Sequence, residues 1–248
     1  MASELKKLLI NGTIIPTSYQ LMYSWFGEEA TSPDTVRNFL ANANKEDVIV
    51  DINSPGGYVY AGFEIYNLLK DYPGKVTARV MSLAASAASM IMCAADHVQI
   101  SPLAQIMIHN VQSRGTGDYR DFQKTAEELK QLNRISVQCY IAKTKKPEQE
   151  LLTLMDNTTF MSAKEALANG FADEILFKDD SQEAKVAAAE SALIIPPKML
   201  AALSDYMKIK ETEKEAKAKE LEEKKEKALS VENERLAYLT LKGGILNE

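Results

Sequence analysis

Histidine and cysteine are both scarce in this sequence of 248 residues, which contains two of each. Cys93 and Cys139 are too few for a disulfide framework. Cys93 lies in an apolar run, where a free cysteine is typically a buried thiol. His97 and His109 are the only histidines, and they do not form a metal-ligand cluster with the cysteines. The sequence therefore predicts neither a metal site nor a cofactor.

Long hydrophobic runs are also missing. No apolar stretch reaches the roughly 18 residues that a membrane span needs, and the polar beginning of the chain does not resemble a signal peptide. The net charge is −6, which offers no overall attraction for nucleic acid or for an anionic membrane. We expect a cytoplasmic protein that binds neither.

Short β-type runs alternate with amphipathic helical stretches over most of the chain. Residues 48–52 and 75–80 are predicted strands, residues 84–95 a helix of small side chains, and residues 119–143 a long amphipathic helix. Strand, glycine turn, helix and strand in this order indicate right-handed βαβ units on a largely parallel sheet. The fold class is therefore α/β, and we assign this domain to residues 1–180.

Residues 181–248 have a different composition. An alanine-rich stretch leads into a segment dominated by lysine and glutamate, with many pairs three or four positions apart. Such spacing supports a solvated helix, and apolar residues are too sparse for a sustained coiled coil. We predict a charged tail that is helical or partly disordered, with a role in binding partners as the alternative.

Ser86 lies where a predicted strand passes into a predicted helix. A serine hydroxyl is a poor nucleophile at neutral pH, and it needs a base within hydrogen-bond reach. A helix N-terminus adds unpaired N–H groups and the positive end of the helix dipole. Serine and alanine mixtures at helix starts are also common as caps, so this segment alone leaves both interpretations open.

A histidine and a pair of glycines complete the candidate set. His109 ends an apolar strand, whereas His97 lies in a polar connecting stretch, so His109 is the better candidate for a base. Gly56 and Gly57 follow a buried strand, where they suit a close approach of two backbones. An ordinary strand-to-helix turn is the alternative interpretation of the glycines.

Together these segments resemble the Clp protease proteolytic subunit family, and are most similar to its phage and prophage branch. The resemblance covers residues 7–178 and depends on four segments in the family's order: Asp51-Ile-Asn-Ser-Pro-Gly-Gly57, Met81-Ser-Leu-Ala-Ala-Ser86, Met107-Ile-His109, and the segment 160–173 that begins Phe-Met-Ser-Ala-Lys-Glu-Ala. It implies a crotonase-like α/β spiral of βαβ units and serine endopeptidase activity. Ser89, three positions after Ser86, stands where the family usually has a small residue.

The resemblance also implies the roles of individual residues. Ser86 matches the nucleophile, His109 the base, and Gly57 and Ala87 the backbone donors to the oxyanion. The family's acidic residue is replaced by Thr158, which can accept a hydrogen bond but carries no charge. Asp156 is the nearest carboxylate and is the candidate third member, with Thr158 as the alternative residue that orients the histidine.

Three functions stay open. The first is a phage-type protease that cuts capsid or scaffold precursors in the host cytoplasm, and the charged tail favours it. The second is a degradative subunit that works with an ATPase unfoldase. The third is an acyl-CoA-binding or inactive crotonase relative. The resemblance further implies a polypeptide substrate and a homo-oligomeric ring, either a heptamer or stacked rings. It also implies that the helix 119–143 joins one ring to another.

Overall fold

The computed structural model describes residues 6–177, and in these residues one sheet of eight strands carries helices on its buried face. The predicted tail 181–248, and the domain boundary before it, lie outside the described residues. The division into two domains at residue 180 therefore stays a prediction.

The strands run along the chain in mostly parallel pairs. They are β1 (Lys6–Ile14), β2 (Ala30–Thr31), β3 (Val48–Gly57), β4 (Val76–Ala85), β5 (His97–Ile100), β6 (Gln105–Ile108), β7 (Thr159–Ser162) and β8 (Glu174–Ile175). The main path across the sheet is β2-β1-β3-β4-β5-β8, with every pair parallel. The predicted α/β architecture with a largely parallel sheet is confirmed.

Helices connect these strands and supply the second layer. A 3₁₀ turn (Thr17–Tyr19) precedes α1 (Gln20–Phe26), followed by α2 (Pro33–Asn42), α3 (Val59–Lys70), α4 (Ala87–Met92), α5 (Tyr119–Thr144), α6 (Glu148–Asp156) and α7 (Ala163–Ala168). The predicted helix 119–143 is therefore present as α5. None of the helices in the described part of the chain is long and apolar enough to span a membrane.

The core lies between the sheet and its helices because alternate strand residues point to one face. Val48, Val50 and Ile52 of β3 are buried, and Ile65 of α3 packs into the same cluster. Cys93 is also buried there, as predicted, and desolvation raises the pKa of its thiol. At about 25 cal/mol per Å² of apolar surface, this layer contact is the main stabilising term of the domain.

The strand β4 is shared between two neighbours. Its first half pairs with β5 from Thr77↔His97 to Val80↔Ile100, and its second half pairs with β6 from Leu83↔Gln105 to Ala85↔Met107. The strand β6 in turn pairs antiparallel with β7. This branching brings the carboxyl ends of β3, β4 and β6 together at one end of the sheet, where ligands bind in open α/β folds.

Several predicted boundaries were wrong. The strand predicted over 75–80 continues to Ala85, and the helix predicted to end at residue 95 ends at Met92. The strand predicted over 48–52 continues to Gly57, and the helix predicted to begin at residue 84 begins at Ala87. Small residues such as Ala84 and Ala85 have high helix propensity, but here they pair with β6 and β3 as strand residues. Tertiary pairing overrides propensity at this point.

Candidate active site

Ser86 occupies the single-residue junction between β4 and α4. Its backbone has φ 55° and ψ −123°, a conformation that non-glycine residues rarely adopt and that costs free energy. The Ser86 N–H donates to Met107 O at 2.9 Å, which fixes the junction against β6. A sharp, strained turn from strand to helix exposes a serine hydroxyl at the end of a sheet.

His109 follows β6 directly and reaches the serine from the neighbouring strand. Its Nε2 lies 2.8 Å from Ser86 Oγ, within hydrogen-bond distance. The pairing of β4 with β6 sets this distance, because Ala85 and Met107 are partners in the ladder and lie one and two positions from these residues. The sheet therefore brings together the two residues that the sequence proposed as nucleophile and base.

Burial changes the electrostatics of His109. The ring is partly desolvated, and this lowers its pKa below the ordinary value of 6.5. The neutral form therefore predominates at pH 7, with a nitrogen lone pair available for a hydroxyl proton. Desolvation by burial is the cause of this shift.

The glycines of β3 allow backbone to approach this junction closely. A Cβ on Gly56, whose φ is 92°, would lie 2.7 Å from Ser86 Cβ and 2.9 Å from Ala87 N. Gly57 is equally constrained, because a Cβ there would collide with the backbone of Ile14 in β1. The predicted close approach of two backbones is confirmed. The glycine segment lies between the backbone of β1 and that of the Ser86 junction, so it is not an ordinary strand-to-helix turn.

Ser54 holds the glycine segment in place. Its Oγ donates to Gly12 O at 2.6 Å and accepts from Gly56 N–H at 3.1 Å. The Gly56 N–H is thereby occupied. Tyr58 N–H donates to Ile14 O across to β1, and successive N–H groups in a strand alternate sides. Gly57 lies between these two donors, both of which are occupied.

The third member of the site, the residue that would orient His109, is held by far fewer contacts. Asp156 Oδ1 accepts a hydrogen bond from Asn110 Nδ2 at 2.8 Å, and Thr158 is exposed with a φ of 49°. Thr159 pairs with Ile108, so Thr158 stands next to His109 along the two strands. Within residues 6–177, the only hydrogen bond of the His109 ring is the one to Ser86.

Of the remaining candidates, His97 lies apart from the reacting groups, whereas Ser89 bonds to the backbone of Ser86 and not to its hydroxyl. His97 is on β5, where its Nε2 is 3.3 Å from Glu174 Oε2 and its Nδ1 is 3.7 Å from Asp173 Oδ2. Ser89 is fully buried beneath the junction and contacts Tyr140 of α5. No cluster of three or more potential metal ligands occurs in the part of the chain that the structure describes.

Sequence reasoning missed two features of the site. The Asn110 amide, next to His109, holds Asp156. Tyr140 lies against Ser89 from α5, a helix that begins thirty positions after Ser89. The adjacency of Asn110 to His109 was a usable signal. No sequence signal indicated Tyr140, because only tertiary packing brings it to Ser89.

Comparison with known proteins connects this geometry to a family. The family model described as Clp protease matches residues 32–179. The ATP-dependent Clp protease proteolytic subunit of Nuphar advena is 34% identical over 141 residues, which are 56% of this chain and 70% of that protein. Proteolytic subunit 3 of Rhodococcus jostii is 32% identical over 134 residues, 53% of this chain and 66% of that protein.

A solved structure shares the fold. A mutant of ClpP1 from Listeria monocytogenes has a TM-score of 0.57 to this chain, at 21% identity, and the match covers 71% of this chain and 93% of that one. The aligned segments span about two thirds of the length of the two curated relatives. The largely parallel sheet with its connecting helices is therefore the fold of that structure.

Proposed function

Because this chain belongs to the Clp protease family, a family of serine endopeptidases, we propose that it hydrolyses peptide bonds with Ser86 as nucleophile and His109 as base. The single observation that carries the assignment is the 2.8 Å contact between Ser86 Oγ and His109 Nε2. It occurs at a strained strand-to-helix junction, where a hydroxyl is presented to a substrate rather than buried.

The proposed reaction proceeds through an acyl-enzyme. Ser86 Oγ attacks the scissile carbonyl carbon while His109 Nε2 takes the hydroxyl proton. The C–N bond then breaks, and His109 returns the proton to the leaving amine. Water, deprotonated by His109, hydrolyses the Ser86 ester and regenerates the hydroxyl.

Two backbone N–H groups are the proposed oxyanion donors. Ala87 N–H belongs to the first residue of α4, where no carbonyl one turn earlier is available within the helix. Gly57 N–H lies at the end of β3, between two donors that are already occupied. Preorganised donors of this kind stabilise the tetrahedral oxyanion. We propose that Thr158, with Asp156 as the alternative, orients His109 only weakly.

Covalent labelling tests this assignment. The full chain is treated with a fluorophosphonate, and the intact mass is measured for the wild type and for Ser86→Ala. We expect one adduct on the wild type, mapped by fragmentation to Ser86, and none on the variant. An adduct on Ser89, or equal labelling of both proteins, would show that the nucleophile is assigned wrongly.

We further propose that the substrate is a protein precursor of a phage-type capsid or scaffold. The Ala-Ala-Ser-Ala-Ala-Ser run at 84–89, which resembles the phage branch of the family, supports this role, as does the lysine- and glutamate-rich composition beyond residue 180. The competing role is degradation with an ATPase unfoldase in a ring of identical subunits. It is favoured by the relatives above, which are named ATP-dependent.

The lengths of the products distinguish these roles. The full chain is incubated without nucleotide with an unfolded protein, and the products are measured by mass spectrometry. A processing protease leaves a few long fragments with defined ends, whereas a degradative subunit leaves short peptides. The third possibility, acyl-CoA binding, has no support from the Ser86–His109 contact and predicts no cleavage.

A further inference from the structure

A chain of buried hydroxyl groups joins α5 to the backbone of the proposed nucleophile. Ser89 Oγ lies 2.6 Å from Ser86 O, and Tyr140 OH lies 2.8 Å from Ser89 Oγ. Ser89 is 0% exposed and Tyr140 2% exposed. Neither hydroxyl can therefore exchange its partner for solvent, and a buried hydroxyl without a partner is costly.

The direction of each hydrogen bond follows from the groups involved. A carbonyl oxygen only accepts, so the one hydroxyl proton of Ser89 is donated to Ser86 O. The contact between Ser89 and Tyr140 then requires the phenol to donate. Burial raises the pKa of Tyr140, so the phenol keeps its proton throughout the range in which a protease works. The order is Tyr140 to Ser89 to Ser86.

The carbonyl at the end of this chain belongs to the peptide unit that contains the Ala87 N–H. A trans peptide is planar, and its C=O and N–H point in opposite directions. Fixing the direction of Ser86 O therefore fixes the direction of Ala87 N–H. Ser86 O also accepts from Ser89 N at 3.0 Å and Met90 N at 3.3 Å, and the 2.6 Å hydroxyl bond is the shortest of the three.

We propose that Ser89 and Tyr140 are positioning residues that orient the Ser86–Ala87 peptide, so that the Ala87 N–H is held toward the oxyanion. This inference rests on the proposed function. The hydroxyl chain also polarises that peptide, because hydrogen bonds in series strengthen one another. Phe171, whose ring lies 5.7 Å from the Tyr140 ring in an edge contact, keeps the phenol in place.

Kinetics of hydroxyl-deletion variants test the proposal. Ser89→Ala and Tyr140→Phe each remove one oxygen and leave the carbon framework unchanged. Deleting an oxyanion donor typically lowers kcat by about 100- to 1,000-fold. Since Ser89 acts only through such a donor, we expect a smaller loss in kcat, on the order of 10- to 100-fold, with KM changed little. Tyr140→Phe, which leaves the last bond intact, should be milder.

The double variant separates positioning from general stability. If Tyr140 acts through Ser89, Tyr140→Phe should cause no further loss of kcat in a Ser89→Ala background, because interacting residues are not additive. Ser136→Ala is the matched control, since Ser136 is a buried serine of α5 whose Oγ has no hydrogen-bond partner among the described residues. Tyr23→Phe controls for loss of a buried phenol elsewhere.

The outcomes distinguish failure of the positioning role from failure of the proposed function. Rates are divided by the concentration of sites titrated with fluorophosphonate, and thermal unfolding is measured in parallel. Wild-type kcat in folded Ser89→Ala, or additive losses in the double variant, would refute the positioning role while the labelling of Ser86 still supports the proposed function. If the wild type is not labelled at Ser86, the proposed function and the positioning role fail together.

Discussion

Two parts of the candidate site differ in how firmly contacts hold their residues in place. At the β4–α4 junction, Ser86 is fixed by its N–H bond to Met107 O and by a 2.8 Å contact with His109. At the end of α6, Thr158 is exposed and Asp156 bonds to an asparagine instead of the histidine. The contrast suggests a serine–histidine dyad whose chemistry depends on the junction, with little assistance from the neighbouring loop.

The largest expected effect comes from the junction itself. Ser86→Ala should abolish peptide hydrolysis, a loss on the order of a million-fold when a serine nucleophile is removed. Initial rates with a fluorogenic peptide amide measure it. Activity within tenfold of the wild type would place the nucleophile elsewhere and remove the contrast between the two regions.

His109→Ala should cause a comparable loss, because a nucleophile and its base act as a unit. His97→Ala is the matched control, since His97 bonds to Glu174 at the far end of β5. We expect its kcat/KM to stay within a few-fold of the wild type. Equal losses in the two variants, with both folded by circular dichroism, would contradict the choice of His109.

Crowding the junction should be the next most harmful change. In Gly56→Ala the new Cβ would lie 2.6 Å from Ala85 O and 2.7 Å from Ser86 Cβ, so the oxyanion donors should be displaced and kcat lowered by roughly 100-fold. Gly27→Ala is the control, because Gly27 has a similar positive φ of 68° but open space around it. Equal losses would show that backbone strain, not crowding, is responsible.

The pH profile reports on the same junction. Burial lowers the pKa of His109 below 6.5, and only the neutral ring can accept the Ser86 proton. The acid limb of kcat/KM should therefore lie below pH 6.5, with a tenfold loss for each further unit of acidity. A limb above pH 6.5 would mean that a negative group stabilises the imidazolium, contrary to a weakly oriented dyad.

The smallest effects should come from the loop. Asp156→Asn should change kcat by no more than a few-fold, whereas neutralising the carboxylate of a working triad costs about 10,000-fold. Thr158→Asp should raise kcat and move the acid limb to higher pH, because an adjacent carboxylate stabilises the protonated ring. Thr158→Asn keeps the shape without the charge and should do neither. A large loss in Asp156→Asn would make Asp156 the third member.

The sequence allowed the junction to be predicted better than the loop, for a physical reason. Ser86 and His109 each follow a short apolar strand, and parallel strands in βαβ units end at the same edge, so their proximity follows from topology. The orientation of Asp156 and Thr158 depends instead on how α6 ends. No comparable topological rule determines the position of residues outside regular strand ladders. The conformation of Ser86 was also not predicted. The alanines around it favour a helix, and only the pairing of β4 with β6 moves the start of that helix to Ala87.

The left-handed backbone of Ser86 has a consequence for protein engineering. Glycine adopts such angles without a Cβ penalty, and the strain of a non-glycine residue there is about 1 to 3 kcal/mol. Ser86→Gly should therefore unfold at a higher temperature than both the wild type and Ser86→Ala, while hydrolysing nothing. An inactive but more stable variant of this kind would suit the capture of uncut substrates. Differential scanning calorimetry of the wild type, Ser86→Ala and Ser86→Gly would establish the ranking of their unfolding temperatures.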